Sequence, residues 1–139
     1  MKKYEITYIQ HPSYPNLFRI RALHSIPRSG VGEGDLGGYI EHEGNLSQEN
    51  NCWVGDDACV YGNAYVCGNA YVFESAQVFG DAVLNEQMLI SSHCVINTTA
   101  QIYYSDGVTA FLDKHENLIV NGTSHNIELH KTLTRLKLA

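Results

Sequence analysis

The sequence predicts an all-β fold in which short parallel strands wind into a triangular solenoid. Three observations carry that expectation. An aliphatic residue returns every six positions, at Val54, Val60, Val66, Val72, Val78, Leu84, Ile90, Ile96, Ile102 and Val108, and nine of the ten are β-branched. Four positions after most of them stands a small residue: Ala58, Ala64, Ala70, Ala76, Ala82, Cys94 and Ala100. Between the two lie Gly62-Asn63, Gly68-Asn69 and Gly80-Asp81, residue types that tolerate left-handed backbone and so make corners. A period of six fits neither a helix of 3.6 residues per turn nor a long plain strand. It fits a short strand and a corner, repeated, with the β-branched leader on the pleated surface and the small residue where walls crowd. Three such units close one coil of about eighteen residues, and coils stack at a strand spacing of about 4.8 Å.

The elements follow in chain order. KYEIT and LFRIRAL alternate like strands around the turn-rich HPSYPN, and SIPRSGVGEGDLGG, with five glycines and a proline, is loop. These make an N-terminal strand and loop cap over residues 1–39. Ile40 and Leu46 begin the beat, and the step of eight from Leu46 to Val54 places a two-residue insertion in SQENNCW. The solenoid then runs over residues 40–113. Asp106 falls on an inward position, where an unpaired carboxylate is costly, so the last coil should open near Tyr104–Gly107. TAFLD and NLIVNG read as strands, and Leu129, Leu133 and Leu136 share one helical face. A short strand and helix cap over residues 114–139 completes a single compact domain, the size expected for 139 residues.

Composition limits the function classes. No apolar run approaches a membrane span, and no apolar segment of a secretory signal follows MKKYEITYIQ. Cys52, Cys59, Cys67 and Cys94 lack CxxC spacing, so they read as reduced thiols of a cytoplasmic protein rather than a metal or redox motif. From Val31 to Asp113 there are twelve acids and no lysine or arginine, while all nine bases lie outside. That acidic body repels nucleic acid and attracts cationic surfaces.

The hexad pattern resembles the hexapeptide-repeat family, which implies a left-handed parallel β-helix. FRIRAL, GDLGGYIE, NLSQENNCWV and the YGNAYV repeats are also similar to a group of small YdcK-like proteins of phages and prophages. In that group a strand-bearing extension leads through a GDLGG loop into the β-helix. The resemblance implies a genetic setting more than a mechanism.

Function must then come from walls, corners and termini, because the inward residues form the core. Tyr61, Tyr65, Phe79 and Val83 read as one outward apolar wall, and Tyr71 and Leu89 belong to another. Large wet apolar patches are rare on monomers, so the expectation is a homo-oligomer burying these residues, or the chain's own extensions folded over one wall. Family resemblance favours a trimer. The same resemblance raises an acyltransferase using acetyl-CoA, with a histidine as general base. His93 is the one histidine on the regular hexads, and no lysine or arginine lies there to hold coenzyme phosphates. A zinc site needs three converging protein ligands, which His93 alone does not supply. No cofactor is therefore expected. Arg19 and Arg21 alternate on a strand and, with Arg28 in the adjacent loop, could form a phosphate fork beside the glycines of GVGEGDLGG. The competing reading is that they pair with acids such as Asp35 and Glu41 and fix the cap to the coil. The residues thus favour a non-enzymatic binding protein, and the resemblance implies a phage or prophage origin. As an anti-defence factor, it would bind a host protein or sequester a small anionic, nucleotide-like ligand.

Overall fold

A computed structural model describes residues 2–105 and 107–121, and within them the fold is all-β, with a β-solenoid of about three turns. Two-residue strands carry the hexad beat: β4 (Trp53–Val54), β5 (Cys59–Val60), β6 (Tyr65–Val66), β7 (Tyr71–Val72), β8 (Gln77–Val78), β9 (Val83–Leu84), β10 (Leu89–Ile90) and β11 (Val95–Ile96). They form three parallel walls. The first contains β3 (Leu36–Ile40), β5, β8 and β11; the second β4, β7 and β10; the third β6 and β9, preceded by a bridge from Leu46 to Val66. Cys59 faces Gln77, a step of eighteen, whereas Tyr39 faces Cys59, a step of twenty. The first coil therefore holds the two extra residues that SQENNCW implies.

The leaders from Val54 to Ile96 and the small residues from Ala58 to Ala82 are all buried, forming one continuous column. Each third hexad position takes a left-handed backbone, at Asp56, Gly62, Gly68, Glu74, Gly80, Glu86 and Ser92. Glycine fills only three of these seven corners. One line of acidic corners gains compensating bonds: the Glu74 N–H donates to Asp56 Oδ2 at 2.9 Å, and the Ser92 N–H to Glu74 Oε2 at 3.2 Å. Each corner side chain thereby accepts from the backbone of the next coil.

The N-terminal extension continues the first wall and packs Tyr4, Ile20 and Ala22 into the same core as the coil. β1 (Tyr4–Gln10) and β2 (Phe18–Ala22) pair antiparallel, and β2 pairs antiparallel with β3. Gly37 and Gly38 let β3 approach the coil. A Cβ on Gly38 would sit 2.6 Å from the Ala58 carbonyl oxygen, and one on Gly37 would sit 2.8 Å from the Trp53 ring.

A solenoid has open strand edges at both ends, and here side chains close them. At the first coil the need is for donors. Tyr4 donates to the Leu46 carbonyl at 2.6 Å, and the buried Lys3 Nζ donates to the Cys52 carbonyl at 2.6 Å and to those of Glu49 and Asn50 at 3.3 Å. At the last coil the need is for acceptors: the Val83 N–H donates to Thr99 Oγ1 and the Leu89 N–H to Thr109 Oγ1, each at 2.9 Å.

The coil ends sooner than the sequence suggests. After Ile96 the chain makes a 3-10 turn at Thr99–Gln101 and enters an antiparallel meander of β12 (Ile102–Ser105), β13 (Val108–Leu112) and β14 (Leu118–Asn121). Ile102 and Val108 belong to that meander, and Ala100 is exposed. Asp106 and the expected helix through Leu129, Leu133 and Leu136 lie outside the described residues. No helix among the described residues is long and apolar enough to cross a membrane.

Candidate functional site

The three arginines do not form one fork. Arg19 is tied to the coil. Its Nη2 lies 2.8 Å from Asp57 Oδ1, its Nη1 donates at 2.9 Å to the carbonyls of Gly37 and Asp56, and the guanidinium stacks 4.3 Å from the Tyr39 ring centroid. Arg21 pairs at 3.2 Å with Glu5, its register partner on β1. The acids expected to take these arginines are engaged elsewhere. Asp35 accepts the Gly32 N–H at 2.8 Å. Glu41 accepts the Gly62 N–H at 2.9 Å and the Asn16 amide at 2.8 Å, and the Gly62 bond foremost lowers its pKa.

Arg28 differs. It lies in a 3-10 turn at Pro27–Ser29, its Nε donates to the Asn69 carbonyl at 3.2 Å, and no carboxylate among the described residues pairs with it. Together with Ser29, Asn51, Asn69, Tyr71 and Leu89 it lines a cavity of about 200 Å³ between the loop and the second wall. Asn51 and Asn69 occupy stacked corners, and the Asn51 N–H donates to Asn69 Oδ1 at 3.3 Å. That bond fixes the Asn69 amide and leaves its NH₂ as the donor end. Tyr71 lies over Gly55, where a Cβ would meet its hydroxyl at 3.0 Å, and burial raises the phenol's pKa, so it stays a neutral donor. The lining residues bring a cation, two side-chain amides and the apolar surface of Leu89 and Tyr71, while Ser29 Oγ donates to the Ile26 carbonyl at 3.4 Å. Such a set suits an anion carrying a flat or apolar body. A second hollow, of about 360 Å³, is lined by Glu5–Ile9 and Arg21, but there Glu5 already neutralises the arginine.

Tyr61 and Tyr65 do not share a flat wall. The left-handed corner at Gly62 separates them, leaving Tyr61 beside β5 and Tyr65 on β6. Tyr61 stacks on Phe79 with centroids 5.0 Å apart, and Tyr14 from the β1–β2 connection lies over Tyr61 at 6.5 Å. The extension therefore covers that part, with Leu17, Tyr39 and Cys59 buried beneath. Tyr65 and Val83 face each other in register, each 38 % exposed. Tyr71 and Leu89 line the Arg28 cavity.

His93 is exposed, and its imidazole makes no hydrogen bond to another described residue. Among the described residues no three His, Cys, Asp or Glu side chains are grouped to hold a metal. The four cysteines are free. Burial pushes the Cys59 thiol up to about 11 and the Cys94 thiol up to about 12, so neither is an activated nucleophile. Sequence reasoning named Arg28, Tyr71 and Leu89 but not Ser29, Asn51 or Asn69. The available signal was spacing: two asparagines eighteen apart stand on the same corner of successive coils.

Searches against protein-family models, curated proteins and solved structures found no match to this chain.

Proposed function

We propose that this chain is a non-enzymatic binding protein whose β-solenoid is a rigid support and whose working site is the Arg28 cavity. The ligand is a small anion with a flat body, of nucleotide-like chemistry. One observation carries the reading: of the three arginines beside the coil, Arg28 alone lacks a carboxylate among the described residues, and it lines a cavity with the asparagines Asn51 and Asn69. The likeness of GDLGGYIE and YGNAYV to small phage and prophage proteins suggests the setting. Sequestering a nucleotide-like signal would serve an anti-defence role.

Calorimetric titration with a panel of nucleoside mono- and diphosphates tests this. Binding by the wild type should fall at least tenfold in Arg28→Gln, with melting unchanged. Arg19→Gln should lower melting and leave affinity intact. Equal binding by wild type and Arg28→Gln, or no binding to any member of the panel, would overturn the assignment. The acyltransferase alternative would rest on His93, which does not line this cavity.

Two surfaces favour partners. Tyr65 and Val83 form an exposed apolar pair on the third wall, and we propose that copies of the chain, three by family resemblance, meet there. A monomeric mass by light scattering at micromolar concentration would exclude it. The acidic coil is the surface a cationic host protein would meet, and such binding should weaken steeply with salt.

A further inference from the structure

We propose that Lys3 and Cys52 form a covalent nitrogen–oxygen–sulfur bridge under oxidising conditions. The Lys3 Nζ lies 3.1 Å from Cys52 Sγ, and both side chains are buried, at 1 % and 0 % exposure. Among the described residues no other lysine hydrogen-bonds a thiol. The amine is held in place. Carbonyls of Glu49, Asn50 and Cys52 accept from it, and all three belong to the insertion loop that also presents the thiol. The thiol is held too, donating weakly toward the carbonyls of Ser47 at 3.5 Å and Glu49 at 3.6 Å. Two reactive groups are thus fixed against each other, as an intramolecular reaction requires.

Burial lowers the Lys3 pKa, against the pull of Cys52 and Glu49, which makes the neutral amine easier to reach. Dioxygen is the oxidant. The ammonium first releases a proton to solvent. The amine then gives up one N–H hydrogen and the thiol its S–H hydrogen. One oxygen atom joins nitrogen to sulfur, and the other leaves with both hydrogens as water. Nitrogen and sulfur each lose two electrons, and dioxygen takes up all four. Burial keeps large reductants out while admitting a small apolar oxidant through local opening of the chain. The bridge would join the start of β1 to the first coil across 49 residues and restrict the unfolded chain accordingly.

The test uses the full chain in air-saturated buffer, followed by chymotryptic digestion and mass spectrometry. Thiol reductant serves as the control. The expected product is a linked peptide pair containing residues 3 and 52, heavier than the two peptides by one oxygen less two hydrogens, about 14 Da, and lost on reduction. The oxidised chain should melt higher than the reduced one. Lys3→Arg, which keeps the cation, should yield no linked pair. Exposure sufficient to oxidise the partly exposed Cys67 while the Lys3 and Cys52 peptides stay separate would overturn the proposal. So would a linked pair that has lost two hydrogens without gaining oxygen, because that mass means a direct sulfur–nitrogen bond.

Discussion

The coil and the N-terminal extension satisfy the same backbone in opposite ways. Inside the coil each layer pairs with the next, so the side chains need only the right size: a β-branched leader and a small residue behind it. Where the extension meets the first coil the bonding passes to side chains, although the extension's own strands pair through the backbone. Lys3, Tyr4 and Arg19 reach carbonyls on the first coil, and buried Asn45 donates at 2.9 Å to the Ala64 carbonyl while accepting the Glu41 and His42 N–H groups. The difference teaches where sequence is constrained. The coil tolerates any residue of suitable volume and shape, and the extension depends on particular polar groups at particular lengths.

Alkali should separate the two regions most strongly. Burial keeps the coil thiols protonated, Cys59 to about 11 and Cys94 to about 12, while the unfolded chain ionises them from 9.0. Above 9.0 the unfolded state binds fewer protons, so stability falls as pH rises, by on the order of 4 kcal/mol near pH ~11 for the two together. The extension is mixed. Burial raises the Tyr4 pKa, a loss in alkali of the same sign, but lowers that of Lys3, so there the folded state releases its proton first and gains as pH rises toward 10.5. Urea midpoints from about pH 8 to about pH 11 should decline in the wild type and decline less in Cys59→Ala/Cys94→Ala. Parallel slopes would show that the thiols do not set the alkaline limit.

Gly38→Ala probes the junction. Its Cβ would meet the Ala58 carbonyl oxygen at 2.6 Å and Val54 Cγ1 at 2.8 Å, so we expect a loss of about 3 kcal/mol by urea denaturation. Gly62→Ala is the comparison within the coil. Its φ is +64° and its nearest neighbour would be at 3.5 Å, so only the left-handed backbone is penalised, at about 1–2 kcal/mol. Equal losses would mean that β3 can move away from the coil.

Tyr4→Phe removes the hydroxyl that donates to the Leu46 carbonyl, and Thr109→Val removes the hydroxyl that accepts from the Leu89 N–H. Each should cost about 1–2 kcal/mol. A near-zero value at either end would show that water replaces the side chain there.

The smallest effect is a gain. Glu86 sits at φ +53°, a corner where glycine carries no Cβ strain, and Glu86→Gly should raise stability by about 0.5–1 kcal/mol. Glu74→Gly should gain less, because Glu74 also accepts the Ser92 N–H.

The fold was readable because its core repeats. Val54 to Ile96 and Ala58 to Ala82 occupy equivalent places, so one physical constraint is written many times. The end of the coil was not readable for a related reason. Six is a multiple of two, so the alternation of an antiparallel strand keeps step with the hexad, and Ile102 and Val108 serve the meander without breaking phase. The arginine partners were hidden as well. Arg19 finds Asp57 thirty-eight positions away and Arg21 finds Glu5 sixteen away, distances set by the extension's path rather than by any period. Lys3 and Tyr4 looked like ordinary residues of an opening strand. Their roles exist only because the first coil leaves carbonyls at its edge.

The insertion loop also gives the molecule an order of assembly. Coil contacts close segments of about eighteen residues, while the bonds from Lys3, Tyr4 and Arg19 into the first coil close segments of 37 to 49. Short closures lose less entropy and form sooner. On the ribosome, Lys3 and Tyr4 emerge early yet have nothing to bind until residues 46–52 have followed them out. That strand, made before the coil, is therefore secured late, and the newborn chain carries it unsealed while the turns behind it wind.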